Sequence, residues 1–500
     1  MGQDTQGMRM HRNPKPVFVT ASLALFVIGA MVGTASANEN AAAEGVPTFN
    51  ADVAPILYEN CASCHRDGQV APMSLTSYQE ARPWARAIKT KVVSREMPPW
   101  FADPRYGHFK NVPTLTQAEI DTVAAWADGG APEGVGAEPV VPTFVSEWKH
   151  DRPPDFVLDM PIEFEVPAQG ELEYVKMWVD NPWQEDVYLE AVQMRPGNSG
   201  VVHHAGMHTR ALPPGTKMGE RQLYPGGQLI PQPVPMDENE SAEAKRASQA
   251  TVASGNNGQD QLLLFYAPGS GFAKYPEGTG KRVYGDRYIV FDNHYTLTGR
   301  PETDRSMGGF WFNKEKPHHQ VITTSGSGTV RIIENTEQLS ADTGDCAGRE
   351  PDDRQCSGAA GVVMPVIPAH ADDFKVTGIW PITDDTTIYG LWPHMHFRGK
   401  DMTYIVSYPD GTEEIVLNVP DFDFNWQLVH DFEEPLKVPA GSTIKTVSHY
   451  DNSVRNRYNP SPDRDVQWSE QSWDEMFIMW AKFSVDKNDL RLEKQPPTQD

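Results

Sequence analysis

Two histidines stand two residues apart in the apolar segment LWPHMHFRGKD, residues 391–401. On a β-strand, side chains at positions i and i+2 point to the same face, so His394 and His396 would present neighbouring imidazoles. Imidazole nitrogens bind zinc, copper, iron and nickel. A pair of histidines on one sheet face is also compatible with a purely structural role, so other residues must decide between the two.

The segment CASCH places Cys61, Cys64 and His65 at the spacing of a c-type haem attachment site. Two thiols three residues apart reach the two vinyl groups of one porphyrin, and the adjacent histidine supplies an iron ligand. A thioether as the sixth ligand raises the reduction potential and suits an electron carrier. Met97, in the proline-stiffened segment SREMPPW, is the predicted sixth ligand, and Met73 is the alternative.

Further histidines occur in VVHHAGMH, which contains His203, His204 and His208, and in FDNHYTLTG, which contains His294. Consecutive histidines on an ideal strand face opposite sides. One metal ion therefore reaches both only where the backbone is distorted, and the upstream RPGNSG and the nearby Gly206 favour such a distortion.

A thioether completes a second candidate set, because SWDEMF supplies Met476 far downstream of His394 and His396. Sulfur is a soft ligand that favours Cu(I), so two imidazoles and a thioether indicate copper that cycles through its reduced state. Structural zinc without a cysteine ligand is a poorer match. This prediction requires the fold to bring the sulfur of Met476 to the two rings.

The net charge limits the possible partners, and the first residues predict the compartment. A net charge of −25 argues against nucleic acid or an anionic membrane surface as a partner. Basic residues precede the apolar run VFVTASLALFVIGAMVGT and the small-residue site ending at Ala37, which predicts a signal peptide over residues 1–37 and a periplasmic or secreted protein. An uncleaved anchor is the alternative, and no later stretch predicts membrane insertion. Cys346 and Cys356 are then expected to form a disulfide.

Local sequence patterns predict the helices and strands that position these residues. Helical patterns around CASCH predict a small all-α domain of the cytochrome c type, and α-helical capping is expected at Thr116 and Glu119. Later, short alternating runs and the hairpin signal YPDGTEEI predict antiparallel strands in sandwiches or barrels. The predicted ranges are 45–135 (cytochrome c), 136–147 (linker), 148–315 (first β domain), 316–370 (connecting segment) and 371–490 (second β domain).

The segments VVHH, NHYT, PHMH and DEMF, in this order, make residues 145–490 similar to the copper type II, ascorbate-dependent monooxygenases. This is the family of the peptidylglycine α-hydroxylating and dopamine β-monooxygenases. The chain most resembles bacterial forms fused to an N-terminal cytochrome c. The resemblance implies that the two β domains are mainly antiparallel, jelly-roll-like β-sandwiches with two copper sites facing a cleft.

The resemblance also implies two ligand sets, one that accepts electrons and one that meets O2 and the substrate C–H bond. These sets are His203, His204 and His294, and His394, His396 and Met476, respectively. His208 is an alternative to His294. Trp392 stands where peptide-amidating members carry an arginine for the substrate carboxylate, so an apolar or aromatic small molecule is expected instead.

The expected activity is hydroxylation of an aliphatic C–H bond by O2, with haem c and two copper ions as cofactors. Electrons would come through the haem, from ascorbate, or from both, with a respiratory redox protein as a further donor. Two alternatives stay open: a non-catalytic haem and copper protein that transfers electrons or carries copper, and a periplasmic dehydrogenase that passes electrons to the haem. Of the other histidines, His430 is expected in the core or beside a ligand, and His150 at the surface.

Overall fold

A computed structural model describes residues 45–492 apart from 70, 111, 144–147, 171, 173, 213–215, 219–230, 234–260, 268–269, 325–330, 335–355, 360–361 and 470. The signal peptide predicted over residues 1–37 and Cys346 of the predicted disulfide lie outside these residues. No described helix has both the length and the apolar character needed to cross a bilayer.

The described helices are short and all precede the β-strands. They are a π-helix (Phe49–Val53), α1 (Ala54–Asn60), α2 (Tyr78–Ala81), a 3-10 helix (Arg82–Trp84), α3 (Ala85–Val93) and α4 (Gln117–Asp128). The capping box predicted at α4 is confirmed, because Thr116 Oγ accepts the N–H of Glu119 and the Glu119 carboxylate accepts the N–H of Thr116. Phe49, Leu57 and Trp126 are fully or almost fully buried in the core of this helical region.

Most of the remaining described chain is β-strand. The strands are β1 (Phe156–Asp159), β2 (Phe164–Val166), β3 (Val175–Val179), β4 (Val187–Arg195), β5 (Val202–Arg210), β6 (Thr216–Met218), β7 (Pro231–Pro233), β8 (Gln261–Tyr266), β9 (Phe272–Lys274), β10 (Thr279–Val283), β11 (Tyr288–Tyr295), β12 (Glu302–Asp304), β13 (Met307–Phe312), β14 (His319–Gln320), β15 (Ile322–Thr324), β16 (Arg331–Glu334), β17 (Cys356–Ala359), β18 (Val362–Pro365), β19 (Phe374–Pro381), β20 (Thr386–His394), β21 (Gly399–Ser407), β22 (Glu413–Val419), β23 (His430–Val438), β24 (Thr443–Tyr450) and β25 (Ile478–Val485). The prediction of a mainly β chain with a few short helices is confirmed.

The first β region contains two main sheets. Sheet A has the order β1-β13-β4-β10-β14, with β9 also paired to β4, and sheet B has the order β3-β11-β5-β8. Residues of both sheets share one hydrophobic core, in which Leu189 and Phe310 of sheet A meet Met207 and Phe291 of sheet B. All pairings in these two sheets are antiparallel except that of β10 with β14.

The second β region also contains two main sheets around one core. Sheet C has the order β15-β25-β20-β23, and sheet D has the order β16-β19-β24-β21-β22. Along β19 and β24 buried and half-buried residues alternate, as the two-residue period of a strand requires. The predicted hairpin is confirmed between β21 and β22, where Gly411 adopts a φ of +88° that favours glycine.

The helical region is fastened to the second core by part of its own chain. Ala102 and Phe109 lie within the range 45–135 predicted for the cytochrome c domain, yet both are buried in the core shared by sheets C and D. The N–H of Lys110 donates to the carbonyl of Asp431 over 2.7 Å. This segment therefore packs as part of the second β region.

Candidate metal centres

A distortion in sheet B brings together His203, His204 and His294, which we call the three-histidine set. In the pairing of β5 with β11, His294 is opposite His204 and Tyr295 is opposite Val202, so His203 has no partner. The extra residue makes a β-bulge, which is the irregularity that lets two consecutive histidines lie on the same face of the sheet. The rings of His203 and His204 consequently stack, with their centroids 4.0 Å apart.

The three rings offer nitrogens that suit one metal ion. One nitrogen from each ring lies within 4.8 Å of the others. The Nδ1 atoms of His204 and His294 are buried and have no hydrogen-bond partner, which is costly unless another group binds them. Burial lowers the pKa of His294 to about 4 and that of His204 well below its usual value. Neutral imidazole is the form that binds metal.

His208, the alternative ligand, lies further along β5 and is not one of these three residues. It pairs with Val290 in the sheet, and its Nε2 lies 4.0 Å from the carboxylate of Asp292. The structure therefore places His294, rather than His208, beside His203 and His204.

The second group, His394, His396 and Met476, is called the histidine–methionine set. His394 is the last residue of β20, and the buried His396 follows just beyond the strand. The sulfur of Met476 lies 3.3 Å from Nε2 of His394, and the two histidine rings are 5.3 Å apart at their centroids. Met395 between them is fully buried in the core shared by sheets C and D. The fold thus brings the thioether to the imidazoles.

Each ring of the histidine–methionine set has one nitrogen engaged by the protein. Nδ1 of His394 is hydrogen-bonded to the side-chain oxygen of Gln427, and Nδ1 of His396 is 3.3 Å from the carbonyl of Asp474. These partners favour protonation at Nδ1 and leave Nε2 as the ligand atom. Burial lowers the pKa of His394 to about 4, so this ring is neutral near pH 7.

Glu475 is a residue of this candidate site that the sequence patterns did not identify. Its carboxylate is fully buried and accepts the backbone N–H groups of His396, Arg398 and Met476. Burial raises the pKa of Glu475 to about 7 although these three bonds favour the charged form. The carboxylate joins the two chain segments that carry the ligands of this set. In the sequence, only its position next to Met476 could have indicated that Glu475 belongs to this site.

The residues predicted to attach haem lie in the turn that follows α1, which we call the haem attachment turn after that prediction. Cys61 and Cys64 are not joined in a disulfide, and the N–H of His65 donates to the carbonyl of Cys61. Nδ1 of His65 lies 3.3 Å from the carbonyl of Met73, which leaves Nε2 as the ring nitrogen available to iron. The Met73 side chain packs against the helical core, and Met97 is half-buried in the segment after α3. Met97 as the sixth ligand stays a prediction.

The haem attachment turn contacts the loop that precedes β5, the strand that contains His203 and His204. The hydroxyl of Ser199, four residues before His203, donates to the carbonyl of Gly68 over 2.6 Å. The turn that contains Cys61, Cys64 and His65 therefore lies near the first β region.

Of the predictions made for two other histidines, the one for His430 is confirmed and the one for His150 is wrong. His430 is buried, as predicted, and its ring lies 4.7 Å from Trp100 and 5.4 Å from Phe109 at the centroids. The prediction that His150 lies at the surface is wrong, because its side chain is 2% exposed. Its ring stacks on Trp311 at 5.1 Å, so the flat face of the imidazole covers an indole.

Comparisons with known proteins identify no family. No family model matches the chain, and no curated protein does. Three solved structures align weakly: PNGF-II (9% identity, TM-score 0.19, 67% of this chain), infectious bursal disease virus Gx strain (8%, 0.14, 68%) and procruciferin, an 11S globulin from Brassica napus (8%, 0.11, 63%). The alignments cover 66%, 75% and 76% of those chains, so this chain spans just under two thirds of PNGF-II.

Proposed function

We propose that this chain is an exported copper- and haem-dependent monooxygenase that hydroxylates an aliphatic C–H bond of a small molecule. The observation that carries the proposal is the pairing of two histidine sets of different composition on neighbouring β regions. One set has three imidazoles, and only the other includes a thioether, 3.3 Å from an imidazole nitrogen. On this proposal the two β regions are jelly-roll-like sandwiches and the helical region is a cytochrome c domain.

The donor atoms fit two copper ions of unequal character. Two imidazoles and a thioether stabilise Cu(I), whereas three imidazoles suit either oxidation state. Copper in the two sets would supply O2 activation and one-electron transfer, and the haem would supply electrons. The protein's part is to keep the imidazoles neutral by burial and to hydrogen-bond one nitrogen of a ring so that the opposite nitrogen is free for the metal.

The neighbourhood of His394 favours an apolar or aromatic substrate. Trp392 is buried and stacks on Trp480, with ring centroids 5.2 Å apart. Its position carries an arginine in the peptide-amidating enzymes that the sequence resembles, so no cation is offered there to a substrate carboxylate. Phe397 and Phe424 stack edge to face at 4.7 Å beside His396 and add aromatic surface.

Electron supply through the haem is supported by the contact between Gly68 and Ser199. It places the haem attachment turn next to the strand that carries His203 and His204. Ascorbate, or a respiratory redox protein that reduces the haem, would then be the outer electron donor. Stopped-flow mixing of reduced haem protein with oxidised copper sites should show haem oxidation within a turnover time, and haem that stays reduced would contradict this route.

Metal counting and isotope labelling test the function. Purified wild-type protein should contain two copper ions and one haem iron per chain, and His294→Ala and His396→Ala should each lose one copper. The exposed His370, changed to alanine, is the matched control and should lose none. Incubation with a panel of small apolar and aromatic compounds under 18O2 should place label in a hydroxylated product. Oxidised product without label would indicate a dehydrogenase instead.

One observation favours a second candidate, a non-catalytic electron relay. The buried ring of Phe424 lies between the two sets, 5.5 Å from the ring of His204 and 5.8 Å from the ring of His396. An aromatic side chain that fills the space between the sets suits electron transfer without a substrate. O2 uptake that no compound in the panel stimulates would support the relay and contradict the monooxygenase.

A further inference from the structure

One short segment of the second β region touches both histidine sets. It connects β22 to β23, and we call residues 421–428 the bridging loop. The ring of Phe424, which is 6% exposed, lies 5.5 Å from the ring of His204 and 5.8 Å from the ring of His396. The loop therefore fills the space between a ligand on sheet B and a ligand next to sheet C.

The bridging loop also holds one histidine of each set by a hydrogen bond. Nε2 of His204 lies 3.4 Å from the carbonyl of Asn425, and Nδ1 of His394 is bonded to the side-chain oxygen of Gln427. Both acceptors favour a proton on the nitrogen they face. The opposite nitrogen of each ring is then free: Nδ1 of His204 is buried without a partner, and Nε2 of His394 faces Met476.

Internal hydrogen bonds hold the bridging loop together. Asp423 accepts the backbone and side-chain N–H groups of Asn425, both at 2.9 Å, and the carbonyl of Asp423 accepts the N–H of Trp426 at 2.9 Å. The side-chain amide of Gln427 donates back to the carbonyl of Phe424 over 3.1 Å. Two of these bonds hold Asn425 to Asp423, and one holds Gln427 to Phe424, so both residues belong to one hydrogen-bonded loop.

We propose that the bridging loop couples the two metal sites, so that metal at one set raises the affinity of the other. This inference rests on the proposed function, because it requires both sets to bind copper. Metal at the three-histidine set fixes the ring of His204, and the Asn425 carbonyl then has fewer accessible positions. Gln427 loses less conformational freedom when it orients His394, so the second ion binds more tightly. The coupling is reciprocal by thermodynamic necessity.

Cu(I) competition titrations with a chelator measure the coupling. The affinity of the three-histidine set should be higher in the wild-type chain, where the other set fills, than in His396→Ala, where it does not. Coupling between sites usually lies at roughly 5- to 150-fold, and we expect a difference in this range. Asp423→Ala, which touches neither ring, should abolish the difference, while Gln117→Leu on α4 should leave it unchanged.

Two further readouts separate coupling from a merely structural effect. Gln427→Leu removes the acceptor of His394 only, yet it should alter the Cu(II) electron paramagnetic resonance signal of the three-histidine set. Hydrogen exchange of residues 423–427 in the His396→Ala chain should slow when copper fills the three-histidine set. The metal-free variants should keep the wild-type thermal midpoint, which shows that they fold.

The outcomes distinguish this inference from the proposed function. Two copper ions that bind with affinities independent of each other would overturn the coupling and leave the proposed function standing. A wild-type chain that binds no copper would overturn both. Coupling that survives Asp423→Ala would overturn the role of the bridging loop.

Discussion

The three-histidine set lies within strands, whereas the histidine–methionine set lies where a strand ends. His204 and His294 are paired neighbours in sheet B, and the unpaired extra residue His203 shares their side. His396 follows the last residue of β20, so strand pairing does not position it. A buried carboxylate, Glu475, does so instead. The difference shows that strand register alone can position histidines inside a sheet, while histidines at a strand end need an added hydrogen-bond acceptor.

The two β regions also differ in how they meet the helical region. The first β region contacts the helical region through a surface hydrogen bond from the Ser199 hydroxyl to the carbonyl of Gly68. The second includes Phe109 in its own core and stacks Trp100 against His430. Apolar packing outweighs one exposed hydrogen bond, so the second region should be the stronger anchor.

The largest expected effect is that of Glu475→Ala. Removal of the carboxylate leaves three buried N–H groups without an acceptor and takes away one of the two acidic neighbours of the Arg398 side chain, which should destabilise the metal-free protein by about 3–5 kcal/mol. Denaturant unfolding measures the loss, and copper titration should show that only the histidine–methionine set is impaired. Glu434→Ala on the exposed side of β23 is the control. Equal damage to both sets would contradict the contrast between them.

Met476→Leu should remove the chemical difference between the sets while preserving packing. Leucine fills a similar volume, so the stability cost should stay below about 1.5 kcal/mol. Loss of an outer hydrogen-bond partner already costs roughly 10- to 100-fold in metal affinity, and loss of a ligand should cost at least about 100-fold for Cu(I). A chelator competition measures this, with Met402→Leu in the same core as control. Unchanged Cu(I) affinity would show that the thioether is not a ligand.

Acid should weaken the anchor of the second β region through His430. Burial lowers the pKa of His430 to about 4, from 6.5 for an exposed imidazole. The stability that this ring contributes is complete above pH 6.5 and is lost as the pH falls toward 4, because the unfolded chain takes up the proton first. His430→Phe should therefore reduce the acid loss of stability in the metal-free protein by about 2–3 kcal/mol. His370→Asn should leave this acid loss of stability unchanged. If the free energy of unfolding depends on pH in the same way in His430→Phe as in the wild type, the burial of this ring is contradicted.

Residue spacing predicted much of each set because it depends on strand periodicity. The need for a distorted strand at His203 and His204 follows from the alternation of side chains. The same alternation predicted that His394 and His396 share a face, but β20 ends at His394, so His396 is held beyond the strand instead. The partners of a set come from distant strands, and the softness of sulfur together with the resemblance to a known family pointed to Met476 as the partner of His394 and His396.

Other features were out of reach of the sequence because they depend on tertiary burial. Glu475 looks like an ordinary acidic residue until three N–H groups converge on its carboxylate. His150 precedes two charged residues, Asp151 and Arg152, yet lies flat on Trp311. The packing of Phe109 into a core more than 250 residues away leaves no local pattern. The features that the sequence did not predict depend on loops and long-range packing rather than on strands.

The smallest expected effect is that of Ser199→Ala, which removes the hydrogen bond from Ser199 Oγ to the carbonyl of Gly68. The bond lies at the surface, where water replaces the hydroxyl, so the stability cost should stay below about 1 kcal/mol. Amide hydrogen exchange of residues 61–68 should nevertheless quicken, because the turn loses its tie to the first β region. Trp100→Ala is the reference for the other anchor and should cost more in denaturant unfolding, since it removes aromatic packing against His430. A larger loss from Ser199→Ala than from Trp100→Ala would reverse the comparison and make the first region the main support of the haem attachment turn.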